Sequence, residues 1–420
     1  MASILQRPKS ETTVFLDQPP SCLEFCPEIR DHFLVGTYLL SETKNESGDI
    51  QQTKTGSVQL WKLDPSTNAL SLVHRLALPY AVFDLHFHPR ERNKFAIVSS
   101  TGHAALFSVS VSGDSVQPTI SHIWTKQVHE DTSIPALFFA WAPRTWFPKP
   151  DCDGFAVTFS DSRTAVFGTE GDISDADNIE EWGSFEARQM IEVWFVALSA
   201  IKQRSTDEGV TSDHIIPYMF TGNDFGSLHT RRFENHGEPD EADEPLGSLL
   251  LEHDDRSRHH TAGVTAILPL PVDMLDGAPI LLTGSYDESL RVYHATRRGD
   301  VLAEQGLGGG VWRLQLLSST ESHNSNDQEQ VVERQFLVLA SCMHAGTRIV
   351  RVSQRQQDQD PVWDIEILAE FTEHESMNYA SDVWKGARSD QSDSLQASSE
   401  LLCVSSSFYD RRLCVWRANS

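Results

Sequence analysis

Gly263-Val264-Thr265-Ala266-Ile267, then Ile280-Leu281-Leu282-Thr283-Gly284-Ser285-Tyr286-Asp287-Glu288, then Leu290-Arg291-Val292-Tyr293: in one stretch the chain spells an apolar run, a loop, a second run ending in a small-residue turn, and a third run carrying an aromatic. Short apolar and β-branched runs punctuated by Gly, Ser and Asp read as strands rather than helices. The unit recurs. One copy is Ala81-Val82-Phe83-Asp84-Leu85-His86-Phe87, Phe95-Ala96-Ile97-Val98-Ser99-Ser100 and Ala105-Leu106-Phe107-Ser108-Val109. Another is Ala136-Leu137-Phe138-Phe139-Ala140-Trp141, Phe155-Ala156-Val157-Thr158-Phe159-Ser160 and Thr164-Ala165-Val166-Phe167. The last ends in Leu402-Cys403-Val404-Ser405-Ser406 and Arg412-Leu413-Cys414-Val415-Trp416, and residues 23–63, 191–230 and 311–352 bring the count to seven.

Such units, repeated at irregular intervals of roughly 45 to 70 residues, predict an all-β chain: a seven-bladed β-propeller. The units resemble WD40 repeats, in degenerate form, since none closes its third strand with a Trp-Asp pair. Residues 1–420 are expected to form one propeller domain, with blades at 11–63, 81–128, 129–181, 182–258, 259–304, 305–369 and 370–420. The sequence stops just after the third strand of the last unit. Thr12-Thr13-Val14-Phe15-Leu16 is therefore expected to add that blade's outer strand and close the ring without an open edge.

Insertions at 143–153, 200–216, 269–278, 318–334 and 386–399 fall between first and second strands, and the acidic run 234–244 falls between a third and a fourth. Both connections lie on one face of a blade, which is thus ragged, and its Ser/Asp/Gln-rich pieces are expected to be solvated or disordered. The opposite face carries the turns between strands two and three and the lead-ins to strand one. These are short, apart from the polar loop 41–56. A functional site is expected on this compact face.

Composition narrows the partners. The chain has 34 Lys and Arg against 60 Asp and Glu, a formal net charge of −26. That charge disfavours nucleic acid and anionic membrane and favours a basic protein surface, or else it serves solubility alone. The six cysteines are scattered through apolar runs, as buried thiols in a reducing compartment would be. Cys22 and Cys26 have no second pair to complete a zinc site, and no metal or cofactor is expected. No run approaches the ~18 uncharged apolar residues of a membrane span. The N-terminus lacks an apolar leader, so a soluble, cytoplasmic protein is expected.

First strands line a propeller's central channel. The mouth is therefore expected to gather Glu192, Trp194, Trp312, Arg313, Tyr379, Asp382 and Trp384, with Asp224, Tyr286, Asp287, Glu288, Met343, His344, Tyr409 and Asp410 from the turns. Converging aromatics and carboxylates suit a cationic group, although aromatics at blade junctions also serve packing. Some carboxylates have a structural alternative. In WD40 blades an Asp of the second turn bonds a His before the first strand, and Asp161 with His129, Asp287 with His259 or His260, and Asp410 with His374 fit that pattern. In unit six His344 stands where the Asp belongs. A histidine is also the usual general base near neutral pH. Gly308-Gly309-Gly310 offers either oxyanion-binding N–H groups or a tight turn, and Cys342 is either a nucleophile or a buried thiol. No nucleophile elbow, phosphate loop or zinc-binding helix motif is present.

The motifs Gly284-Ser285-Tyr286-Asp287-Glu288, Gly309-Gly310-Val311-Trp312-Arg313, Cys342-Met343-His344-Ala345-Gly346 and Ser407-Phe408-Tyr409-Asp410 together resemble the WD-repeat diphthine methyl ester hydrolases of diphthamide biosynthesis. Gly36-Thr37-Tyr38, Glu192 with Trp194, His260-Thr261-Ala262-Gly263-Val264 and Tyr379-Ala380-Ser381-Asp382 extend the similarity along nearly the whole chain. The resemblance implies a carboxylic-ester hydrolase that removes the methyl ester from diphthine methyl ester on a histidine of eukaryotic elongation factor 2. The product carboxylate is later amidated to diphthamide. The elongation factor, and possible other enzymes of the pathway, are the implied partners. In the reading of the residues themselves, His344, Cys342 and Arg313 are catalytic candidates. Tyr286, Asp287, Glu288, Trp312, Tyr379, Asp382, Tyr409, Glu192 and Trp194 are substrate-binding candidates. The alternative is a non-catalytic WD40 scaffold that grips the same partners.

Overall fold

A computed structural model describes residues 4–44, 48–111, 117–207, 210–234, 245–324, 327–357, 360–386 and 400–420. The protein is an all-β, seven-bladed β-propeller, and among the described residues the strands form seven sheets. The chain divides into two compact units, one of Met1–Pro79, Thr283–Val292 and Val301–Ser420, the other of Tyr80–Leu282 and Tyr293–Asp300.

In the first unit, one blade is built on Pro20–Phe25, His32–Thr37, Ile50–Asp64 and Ala69–Leu78. A second runs Arg313–Asn324, Asp327–Ser341, Thr347–Gln357 and Asp360–Phe371. A third is ordered Ser381–Val383, Glu400–Ser407, Arg412–Asn419 and then, from the other end of the sequence, Ser10–Phe15. The expected closing strand is thus in place. Ser10 pairs with Trp416 and Phe15 with Arg412, while the Gln6 side chain exchanges two hydrogen bonds with the Asn419 backbone.

The strand Glu400–Ser407 shows why central runs carry no polar alternation. Leu402 and Val404 pack with Leu23, Phe25, Phe33 and Val35 of the first blade. Leu401 and Cys403 face the other way, onto Leu339, Ile349 and Phe371. A strand buried on both faces needs apolar or small residues throughout. Ser10–Phe15, at the outer edge, alternates half-buried with exposed positions as a one-sided strand should.

The second unit holds three four-stranded blades, starting at Val82–Phe87, Ala136–Trp141 and Val193–Asp207. In its core Ala96, Val98 and Leu106 pack against Phe139, Phe155 and Phe159. The remaining blade, ordered Val264–Pro269, Ile280–Ser285, Ser289–His294 and Asp300–Gly306, is shared between the two units. All six cysteines are free and buried.

Several insertions differ from the expectation. The polar loop 41–56 is a β-hairpin, Leu39–Lys44 pairing with the first part of Ile50–Asp64. Residues 200–216 and 318–334 continue their blades' inner strands as long hairpins, so their polar sequence is solved by backbone pairing rather than by disorder. In 143–153, Trp146 and Phe147 are buried, and the Trp146 indole donates to the Tyr218 carbonyl at 2.9 Å. The acidic run 235–244 and most of 386–399 lie outside the described residues.

Candidate active site

The Gly308-Gly309-Gly310 turn lies directly on the turn at residues 342–346. A Cβ on Gly309 would sit 2.4 Å from the Cys342 carbonyl oxygen, and one on Gly310 would sit 2.5 Å from the Met343 sulfur. At Gly309, where the neighbour is backbone, glycine is therefore required, while at Gly310 the Met343 side chain would have to shift. The opposing turn is closed by bonds from Ala345 N to Cys342 O and Gly346 N to Met343 O, with Met343 held at φ 41°. Met343 O in turn accepts from Asn378 N at 2.9 Å. Asn378 is fully buried, donates to the carbonyls of Ala380 and Ser406, and accepts from Thr347. Three turns of the first unit are thereby fixed against one another.

On this base stands a row of aromatic rings. Tyr286 and Trp312 have centroids 5.8 Å apart, Trp312 and Tyr379 5.0 Å, Tyr379 and Phe408 5.4 Å, Phe408 and Tyr409 5.0 Å. Tyr38 joins through Phe408 at 6.2 Å. All six rings are tilted or edge-on, as ring quadrupoles favour. Most of the row is half-buried, and Tyr409 is exposed. Burial raises the pKa of the Tyr379 phenol, which keeps it neutral. The Arg313 guanidinium stands 4.8 Å from the Trp312 ring centre and donates to the Trp312 carbonyl, steadying the indole.

His344 lies in the same turn system, its side chain 57% exposed and its Nε2 3.9 Å from Glu288 Oε1. Cys342, two residues earlier, is fully buried. Burial pushes its thiol up to about 12, and its sulfur contacts only the Ala340 carbonyl at hydrogen-bond range among the described residues. Of the two expectations for Cys342, its surroundings are those of the packed thiol. Asp382 is likewise buried. It accepts from Phe25 N at 2.7 Å, Gln315 Nε2 at 2.8 Å and Val383 N at 2.7 Å, so it ties first strands of three blades together. Asp287 accepts from Arg291 Nη1 at 2.9 Å and from Ser289 N. Glu192 and Trp194 belong to the second unit, where the Trp194 indole donates to Asp224 at 2.7 Å.

The structural His–Asp pairs come out unevenly. His129 and Asp161 meet at 2.9 Å as expected. His374 instead bonds Ser405 at 2.8 Å, which also takes the Trp416 indole at 3.0 Å, while Asp410 turns to Ser376 and Arg412. In the second unit His88, Glu91 and Asp153 bring ligand-type atoms within 4.8 Å of one another. His88 Nδ1 there accepts from the backbone N–H of Glu91, so its Nε2 donates to Asp153, while Arg90 and Lys94 take up the carboxylates. This is a closed ionic clasp.

Sequence reasoning passed over Tyr38 and Phe408 as site residues. The signal was present: each immediately follows the second strand of its blade, as Tyr286 follows Ile280–Ser285.

Comparison with known proteins gives the chain its kin. No family model matches it. It is 30% identical over 411 residues, 97% of each chain, to diphthine methyltransferase of Schizosaccharomyces pombe. The human diphthine methyltransferase is 29% identical over 126 residues, 30% of this chain and 23% of its own. Among solved structures it resembles Chaetomium thermophilum Sqt1 bound to the N-terminus of ribosomal protein L10, at TM-score 0.53 and 13% identity over 99% of both chains, a likeness of fold alone. The aromatic row, the glycine turn beneath it and His344 accordingly stand in a chain that belongs to the diphthine methyltransferase family.

Proposed function

We propose that the protein acts in diphthamide biosynthesis as a methyl ester hydrolase on a protein-borne, trimethylammonium-bearing ester, the modified histidine of eukaryotic elongation factor 2. The observation that carries this reading is the unbroken row from Tyr286 through Trp312 and Tyr379 to Tyr409, bordered by His344 and Glu288. A quaternary ammonium cannot donate a hydrogen bond, and aromatic faces with a nearby carboxylate are its natural receptor. With the cation held, the ester carbonyl lies beside the turn. His344 takes a proton from a water whose oxygen attacks the carbonyl carbon. The bond from that carbon to the methoxy oxygen breaks, methanol leaves with the proton returned by His344, and a carboxylate remains. Glu288, 3.9 Å away, balances the charge of the imidazolium formed in that step, and the N–H groups of Gly309 and Gly310 face the developing oxyanion. Cys342 has no part in this scheme.

The name of the relatives favours a second reading, methyl transfer to an acceptor other than water. Both are tested by incubating the protein with methyl-esterified elongation factor, without a methyl donor, and following the modified peptide by mass spectrometry. Free acid plus methanol supports hydrolysis, and His344→Ala should abolish turnover while leaving binding intact. Loss of the ester methyl without methanol release, and only when an acceptor other than water is added, supports transfer. Binding with no change in either condition leaves a scaffold.

A further inference from the structure

A second polar site lies in the other unit, away from any role given above. It is a cavity of about 330 Å³ lined by Arg188 and Gln189, by Ser227 and His229, and by Asp254, Arg256 and Ser257. Three connections build it: the lead-in to Val193–Asp207, the turn between Val210–Asn223 and Leu228–Phe233, and the segment following Leu249–Asp254.

The lining is rich in donors. Arg188 is 64% exposed and is engaged by Asp254 through Nε at 3.0 Å, and the Arg256 side chain is exposed. The hydroxyls of Ser227 and Ser257 meet at 2.9 Å. His229 is 4% exposed, lines the cavity, and its ring makes no hydrogen bond to another described residue. Its ring nitrogens are not among the fully buried polar atoms left without a partner, so they open onto the cavity, where an N–H can meet a ligand. The pKa of His229 is pushed down to about 4, first by burial and then by Arg231, so at neutral pH the ring has one N–H to give.

The backbone points the same way. Arg256 and Ser257 hold φ of 58° and 54°, two consecutive non-glycine residues in the left-handed region. Asp254 and Asp255 carboxylates accept from their N–H groups at 2.9 and 3.1 Å and keep the turn in this shape. Strain that neighbours maintain, at the rim of a cavity, is where function is to be looked for. In a chain of net charge −26, a lining with two arginines against one carboxylate, Asp254, also runs against the overall field.

We propose that this cavity binds a phosphate monoester. Arg256 and Arg188, the latter shared with the Asp254 carboxylate, supply the charge; His229 and the hydroxyl of the Ser227–Ser257 pair that is not spent on the other donate to the phosphate oxygens. A volume of about 330 Å³ exceeds what inorganic phosphate fills and leaves room for the esterified group. The ester is carried either by a small metabolite or by a phosphorylated side chain of a partner.

The test titrates the full-length protein calorimetrically, at constant ionic strength, with glycerol 3-phosphate and with a phosphoserine peptide. Saturable binding is expected, weakened roughly tenfold or more by Arg256→Gln through loss of a charge-assisted contact. Ser257→Gly is the second variant. Glycine accepts the left-handed conformation without strain, so this change should weaken binding while leaving the melting temperature unchanged or raised. Equal affinities for the two ligands would mark a small-molecule site, and a tighter peptide would mark a phosphorylated chain. Absence of saturable binding by both, or binding indifferent to both substitutions, overturns the proposal.

Discussion

Cys342 and His344 are two residues apart and live in opposite surroundings. Burial pushes the Cys342 thiol well above the ordinary cysteine range, so at neutral pH it stays a thiol. Cys342→Ala should therefore keep turnover within about twofold while losing roughly 1 kcal/mol of stability from the vacated core volume. A complete loss of turnover in a folded Cys342→Ala protein would return the thiol to the mechanism. Trp312→Ala should act differently, by raising KM. A cation–π contact contributes about 0.5–2 kcal/mol, so KM for the trimethylammonium ester should rise roughly 3- to 30-fold with kcat little changed, and less for an ester lacking the cation. Sequence named both residues but could not rank them. That the glycine turn and the Tyr286, Trp312 and Tyr379 rings lie together was legible, because the repeat puts each at a turn or a strand start of its unit. The fates of Cys342 and Asp382 were not, because whether a thiol or carboxylate is wrapped or open depends on strands distant in the chain, such as Pro20–Phe25 over Asp382.

At the scale of the element, the last blade shows how one local network sets a response to acid. Ser405 takes the Trp416 indole N–H and meets Nε2 of the buried His374 imidazole. Burial brings its pKa from 6.5 to about 4. Above pH 6.5 neither the folded nor the unfolded chain protonates this group, and its contribution to stability is complete. Between pH 6.5 and 4 the unfolded chain takes up a proton that the folded chain refuses, so stability falls, in total by on the order of 3 kcal/mol. His374→Gln should lower the urea midpoint at pH 7 yet flatten its decline between pH 6.5 and 4. An unchanged slope would place the acid response elsewhere. At this scale the strands buried on both faces were the legible ones. The hairpins at 41–56, 200–216 and 318–334 were not: in a polar hairpin, backbone pairing rather than an apolar face specifies the strand, and no periodicity records it. The departure of Asp410 from His374 was also hidden, since Ser376 and Arg412 compete for the carboxylate only once the turn is folded.

For the whole molecule the dominant physical fact is a net charge of −26. On the proposed function, the partner is a translation factor whose modified histidine must reach the aromatic row. Charge of one sign accelerates encounter with a basic surface, and salt weakens that pull because the Debye length shrinks from about 10 Å at 0.1 M to about 3 Å at 1 M. The rings act differently, since desolvated aromatic contacts hold a formed complex and are little screened. The two contributions should therefore separate kinetically. In stopped-flow or surface binding, raising salt from about 50 to about 500 mM should slow association by roughly tenfold or more and leave dissociation almost unchanged. Trp312→Ala should speed dissociation and leave the salt dependence of association as it was. If salt moved neither rate, the acidic surface would serve solubility alone, and recognition would rest on the aromatic row without electrostatic steering.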